Sequence, residues 1–155
     1  MKSSEYEAIK VVCDKWYPKK KKEHCAAVEA LAMADPMFFT LSDEQKFFVK
    51  ALAYAHDVIE DTDCPLDDLI ECIDIDGEFE RLDFVRDLTL LTHQKGEEYY
   101  KYVSDIVNSR RIFAVMVKRA DMMDHLQRKV TLTEKLKKKY FPVIPMLFYP
   151  REVLR

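Results

Sequence analysis

Glycine is nearly missing from this 155-residue chain, with Gly77 and Gly96 the only two. That scarcity excludes a glycine-rich loop that cradles phosphate, and it excludes an all-β fold, whose tight turns need residues free to adopt positive φ. Four cysteines are present, Cys13, Cys25, Cys64 and Cys72, but no CxxC pair occurs among them. Neither a disulfide framework nor a structural zinc module is therefore indicated, and reduced thiols are expected. No apolar run approaches the length of a membrane span and no secretory leader is recognisable, so a soluble, cytoplasmic protein with no membrane partner is expected. Basic excess is lacking too: 28 acids against 25 Lys and Arg give a formal charge of -3 and a pI near 5.8. This balance argues against a nucleic-acid partner, while the local runs Lys19–Lys22 and Lys137–Lys139 leave a small polyphosphate ligand compatible.

What the chain does have is 48% hydrophobic residues, enough at this length for one core. A single domain over residues 1–155 is expected, with no linker or repeat to divide it. The apolar residues recur at helical intervals, and the expected class is all-α. Ser4 and Glu7 have capping-box spacing before a first helix that runs to Pro18. Lys20 to Ala34 reads as a second helix, stopped by Asp35-Pro36, with His24 on its inner stripe beside Ala27, Val28 and Leu31. Ser42 and Gln45 cap a third helix running toward His56-Asp57. A short helix opened by proline is expected from Pro65 to Cys72, and a longer one after Asp76-Gly77 through Phe79, Leu82, Val85, Leu88 and Leu91. Two more are expected at Glu97 to Val107 and Arg110 to Lys129. From Thr133 onward, Pro142, Pro145 and Pro150 should break any terminal helix.

The most informative segment runs from Ala51 to Thr62. Phe47, Phe48, Ala51, Leu52 and Ala55 form a buried helical stripe, and His56 continues it where an apolar residue would be expected. Asp57, Glu60 and Asp61 follow at once. A second acid, Asp121, interrupts the apolar helix that contains Ile112 to Val117. Burying imidazole and carboxylate is costly unless a cation or hydrogen bonds compensate. His24, His56, Asp57 and Asp121, on three separate helices, therefore make a constellation suited to one divalent metal. Two imidazoles and two carboxylates suit manganese or iron better than calcium.

These elements resemble the HD-domain phosphohydrolases, and within them the hydrolase domain of Rel/SpoT-type enzymes and the small stand-alone alarmone hydrolases. His56-Asp57-Val58-Ile59-Glu60-Asp61-Thr62 is similar to that subfamily's HDxxEDT signature, and Val117-Lys118-Arg119-Ala120-Asp121 to its VKLAD signature. Leu90-Leu91-Thr92, Gly96-Glu97-Glu98-Tyr99 and Lys139-Tyr140 extend the resemblance over roughly positions 20 to 142. It implies a compact HD-domain bundle and manganese held by His24, His56, Asp57 and Asp121. The implied activity is hydrolysis of the 3'-pyrophosphate of guanosine tetra- or pentaphosphate, giving GDP or GTP and pyrophosphate. Glu60, with Asp61, would orient and deprotonate a water; counted along a continuing helix, Glu60 falls three residues after Asp57 and four after His56.

Five further residues are candidates for substrate contact. Tyr140 matches a tyrosine that meets substrate phosphate in the family. His125 stands where the family usually has an asparagine contacting the nucleotide, a departure that bears on selectivity and activity. Lys95 and Lys118 could line a phosphate entrance, as could Arg119, while His93 carries no motif support. Two other readings stay open. One is a different HD-type nucleotide phosphohydrolase, such as an NADPH 2'-phosphatase or a nucleotidase, because fold and metal do not fix the base. The other is a nucleotide-binding module with impaired turnover, motivated by His125.

Overall fold

Ser42 Oγ accepts the Gln45 N–H at 3.2 Å while Gln45 Oε1 accepts the Ser42 N–H at 3.0 Å, and this reciprocal cap starts the helix around which the rest of the chain packs. The computed structural model describes residues 1–149, without the side chains of residues 78 and 79. Phe79 of the expected apolar stripe, Pro150 and the rest of the terminal segment to Arg155 thus lie outside the described residues. Among the described residues the chain is helical and has no strand. In order come α1 (Ser3–Trp16), α2 (Lys19–Met33), a 3₁₀ turn (Pro36–Thr40), α3 (Asp43–Ala55), α4 (Val58–Asp61), α5 (Leu66–Ile70) and α6 (Glu78–Leu91). They are followed by α7 (Tyr99–Asn108), α8 (Ile112–Gln127), α9 (Glu134–Tyr140), a 3₁₀ turn (Phe141–Val143) and α10 (Ile144–Phe148). No helix among the described residues is long and apolar enough to cross a membrane.

Helix α3 is buried along its whole second half: Phe48, Val49, Ala51, Leu52, Ala53, Tyr54 and Ala55 are all inside. Apart from the half-buried Lys50 this half of α3 is a core segment, and its three alanines let α1, α2 and α8 pack closely around it. Helix α8 is the second core helix, burying Ala114, Met116, Val117, Ala120 and Met122 together with the charged Lys118, Asp121 and Asp124. Helix α2 packs against both α3 and α8. His24 on α2, the end of α3 and the middle of α8 consequently meet at one place.

Several local features differ from the expectations. Helix α1 begins one residue before Ser4, and Glu5, not Glu7, closes its start by accepting the Lys2 N–H at 2.5 Å; Glu5 also accepts the Asp74 N–H at 2.9 Å, a tertiary contact that no local spacing reveals. The third helix stops at Ala55 and α4 restarts at Val58, so His56 and Asp57 sit in a turn between them. Side chains take two of the last-turn carbonyls there: Tyr17 Oη donates to Tyr54 O at 2.9 Å, and His56 Nδ1 to Ala53 O at 2.7 Å. Arg110 adopts φ of 59°, the left-handed conformation that turns the chain between α7 and α8. Pro142 and Pro145 do break the terminal helix, each at the start of a new short element where a missing N–H costs nothing.

Candidate metal centre

His24 and His56 each turn one ring nitrogen outward to a fixed partner and the other inward. His56 Nδ1 faces Ala53 O, which can only accept, so Nδ1 carries a proton there. His24 Nδ1 lies 2.6 Å from Asp124 Oδ2, an arrangement in which a carboxylate orients the ring. The inward atoms, His24 Nε2 and His56 Nε2, are buried and make no hydrogen bond, and neither does Asp121 Oδ1, which faces them. Orphaned buried polar atoms are rare in folded proteins and call for a ligand.

Their spacing identifies the kind of ligand. His24 Nε2 is 3.4 Å from Asp121 Oδ1 and 3.5 Å from Asp57 Oδ2, while His56 Nε2 is 3.2 Å from Asp57 Oδ1 and 3.7 Å from Asp121 Oδ1. Two donors each about 2.1 Å from one ion stand about 3.0 Å apart at a right angle and about 3.4 Å apart at the tetrahedral angle. Two overlapping groups are close enough to hold a metal ion: His24 with His56 and Asp57, and His24 with Asp121 and His125. A pair of imidazoles with carboxylate oxygens fits a divalent first-row cation.

One oxygen of each carboxylate is held by a lysine, and for Asp57 it is the same Oδ2 that faces His24. Lys21 Nζ lies 2.7 Å from Asp57 Oδ2 and 2.5 Å from Asp61 Oδ2, and the buried Lys118 Nζ lies 2.8 Å from Asp121 Oδ2. Burial opposes ionisation of every group here, yet the acids win. For His24, the neighbouring carboxylates of Asp121 and Asp57 outweigh burial and push its pKa up to about 10. His56 is raised against burial by Asp57 and Asp121, and Asp121 is held well below the usual range, against burial, by Lys118 and the histidines. Asp57 is lowered as well, where His56 and His24 overcome burial. The centre demands positive charge, from protons on the imidazoles or from a cation that replaces them.

The remaining candidates are placed unevenly. Glu60 is exposed and faces the loop between α6 and α7, where its Oε2 accepts the His93 N–H at 2.9 Å. Desolvation of its carboxyl end, with the charges of Asp57 and Asp61, outweighs that amide and raises its pKa. Asp61 is exposed and tied to Lys21. His125 Nε2 lies 3.0 Å from Asp121 Oδ1, and its ring stacks at 5.3 Å on Tyr140, which in turn meets Tyr99 at 5.6 Å. His93 fills the far end of this aromatic row, 4.7 Å from Tyr102. Lys118 lies behind Asp121 instead of at an entrance, because it sits one turn before that acid on the buried face of α8. Arg119 turns away to Asp35 at 2.9 Å, and Lys95 is an exposed turn residue with no ion pair to the centre among the described residues.

Three further residues contribute through partners that motif and spacing do not give. Lys21 hides in the basic run Lys19–Lys22, although its position three residues before His24 puts it on the same helical face. Asp124 shares a face with Asp121, but its pairing with His24 is tertiary. Lys139, 4.4 Å over the Tyr99 ring, brings a cation to the aromatic row.

Searches of protein families, curated proteins and solved structures returned no match to this chain. Fold and site together define an all-α helical bundle whose histidines and aspartates converge in a buried cluster able to chelate a metal ion.

Proposed function

We propose that the chain is a metal-dependent phosphohydrolase, and in particular a 3'-pyrophosphohydrolase of guanosine tetra- and pentaphosphate that uses manganese. The observation that carries the reading is the convergence of three buried, unpaired atoms, His24 Nε2, His56 Nε2 and Asp121 Oδ1, beside Asp57. His24, His56, Asp57 and Asp121 would hold the cation, which when bound supplies Lewis-acid polarisation of a phosphoryl oxygen and a lowered pKa for water. Asp124 and the Ala53 carbonyl keep the two imidazoles aimed inward. Lys21 and Lys118 each hold one oxygen, Oδ2, of Asp57 and of Asp121.

Glu60 is the proton acceptor in this reading. Its Oε2 is engaged by the His93 amide, which would leave Oε1 to take the proton from water as the water oxygen bonds to phosphorus and the bond from that phosphorus to the ribose 3'-oxygen breaks, the 3'-oxygen leaving with a proton from solvent. The raised pKa brings this carboxyl nearer the working range of a general base. Asp61 anchors Lys21 and so restrains Asp57 from behind. His125, Tyr140, Tyr99 and Lys139 give the centre an aromatic and cationic flank of the kind a nucleotide polyphosphate requires. The choice of guanosine rests on the resemblance of residues 56–62 and 117–121 to the alarmone hydrolases.

The test is a manganese-loaded incubation with guanosine and adenosine polyphosphates followed by identification of the fragment released. Pyrophosphate with GDP from guanosine tetraphosphate supports the assignment. Orthophosphate from several nucleotides supports a broader phosphohydrolase, a second reading that the presence of His125 beside the centre favours, because it changes the surface offered to the base.

A further inference from the structure

His125 lies one helical turn after Asp121 on α8, so both side chains reach toward the same point. Its ring is fixed between His24, with centroids 5.0 Å apart, and Tyr140, 5.3 Å away. Its Nε2 stands 3.0 Å from Asp121 Oδ1, yet that buried oxygen accepts no hydrogen bond. His24 Nε2 and His56 Nε2 approach the same oxygen at 3.4 and 3.7 Å, again without bonding it. Three imidazole nitrogens thus surround one unpaired carboxylate oxygen. The 3.7 Å approach is too long for a hydrogen bond, and neither of the two shorter ones forms one. Donors that share an ion need only the spacing, and His24, Asp121 and His125 meet it as a chelating set in their own right.

We propose that His125 is a third imidazole ligand, through Nε2, of the cation held by His24 and Asp121. The assignment rests on the metal-centre reading above. Because the His125 side chain is 35% exposed, its ring closes the solvent side of the centre and takes a position otherwise open to water. A third imidazole also moves the preference from manganese toward cobalt, nickel and zinc, since imidazole suits these ions while oxygen donors suit manganese.

Pulsed electron paramagnetic resonance of the full chain loaded with one equivalent of Cu²⁺ counts coordinated imidazoles without any substitution. Three imidazoles are expected, falling to two in His125→Ala; two in the unsubstituted chain overturn the proposal. Calorimetric titration gives a second readout. Both His125→Ala and the size-conserving His125→Asn should bind Co²⁺ roughly tenfold or more weakly, with a smaller loss for Mn²⁺. Unchanged Co²⁺ affinity in folded variants overturns the proposal as well. If His24→Ala loses the cation and His125→Ala does not, this inference fails alone. If the unsubstituted chain takes up no cation, the metal-centre reading fails with it.

Discussion

Asp124 Oδ2 lies 2.6 Å from His24 Nδ1 across a separation of 100 residues, and Arg128 Nε holds the same oxygen at 2.6 Å. This carboxylate touches no inward atom of the centre, but it decides where His24 Nε2 points. Asp124→Ala should therefore weaken divalent-cation binding by about 10- to 100-fold. Asp124→Asn, which keeps an acceptor, should lose less. Calorimetry on both variants checks the order; equal affinity for Asp124→Ala and the unsubstituted chain would remove Asp124 from the site.

The buried pair Lys118–Asp121 gives a stability prediction for the metal-free chain. Asp121→Ala leaves a buried ammonium without its partner, which costs about 3–5 kcal/mol. Replacing both, as Lys118→Met with Asp121→Leu, should recover most of that loss, because two desolvated charges leave together. Urea unfolding in chelator measures both. Recovery in the double variant must be accompanied by loss of metal uptake if Asp121 is a ligand.

The parts of this centre that were legible in the sequence are those where a polar residue breaks an apolar stripe. His24, His56 and Asp121 each occupy a position that helical periodicity assigns to the core, and all three are buried, although His56 lies in the turn after α3. Which second partner each one meets was not legible. At the turn of His56-Asp57, Tyr17, between α1 and α2, bonds the Tyr54 carbonyl, a contact that no local pattern encodes. Lys21 and Lys118 look like ordinary surface charges in sequence, since lysine is seldom buried unless paired, and the pairing is made by residues on other elements or one turn away. The helices themselves were readable from capping and proline chemistry, as at Ser42-Gln45 and Pro145, but the start of α1 was set by the tertiary contact of Glu5 with Asp74.

Proton linkage makes the metal-free and metal-bound chains respond oppositely to pH. The pKa of His24, raised from 6.5 to about 10, means that its stabilising contribution is complete below about pH 6.5 and disappears as pH climbs through about 10. Asp57, whose pKa is lowered, contributes above its ordinary value of 3.8 and ceases to do so as pH falls further. The metal-free chain should accordingly lose stability on the alkaline side. A cation must displace the imidazole protons, so its affinity should increase with pH by up to about tenfold per unit for each proton released. Titrations in buffers of different ionisation enthalpy, between pH 6.5 and 8.5, count those protons directly. About two are expected from His24 and His56, and a pH-independent affinity would mean that neither imidazole binds the ion.

Glu60 and Asp61 adjoin in sequence but are engaged differently, and this separates their expected effects. Glu60 faces the His93 amide at the edge of the centre with a raised pKa, whereas Asp61 is paired with Lys21. Glu60→Gln keeps the hydrogen bond to His93 but cannot take a proton, so turnover should fall by roughly a hundredfold or more with metal content unchanged. Asp61→Asn removes one of the two acids at Lys21 and loosens the restraint on Asp57, so it should weaken cation binding more than it slows the loaded enzyme. Metal analysis and turnover at saturating cation, measured on the same samples, divide the two cases. A Glu60→Gln chain that loses its metal would show the carboxylate to be a ligand and would overturn its assignment as the proton acceptor.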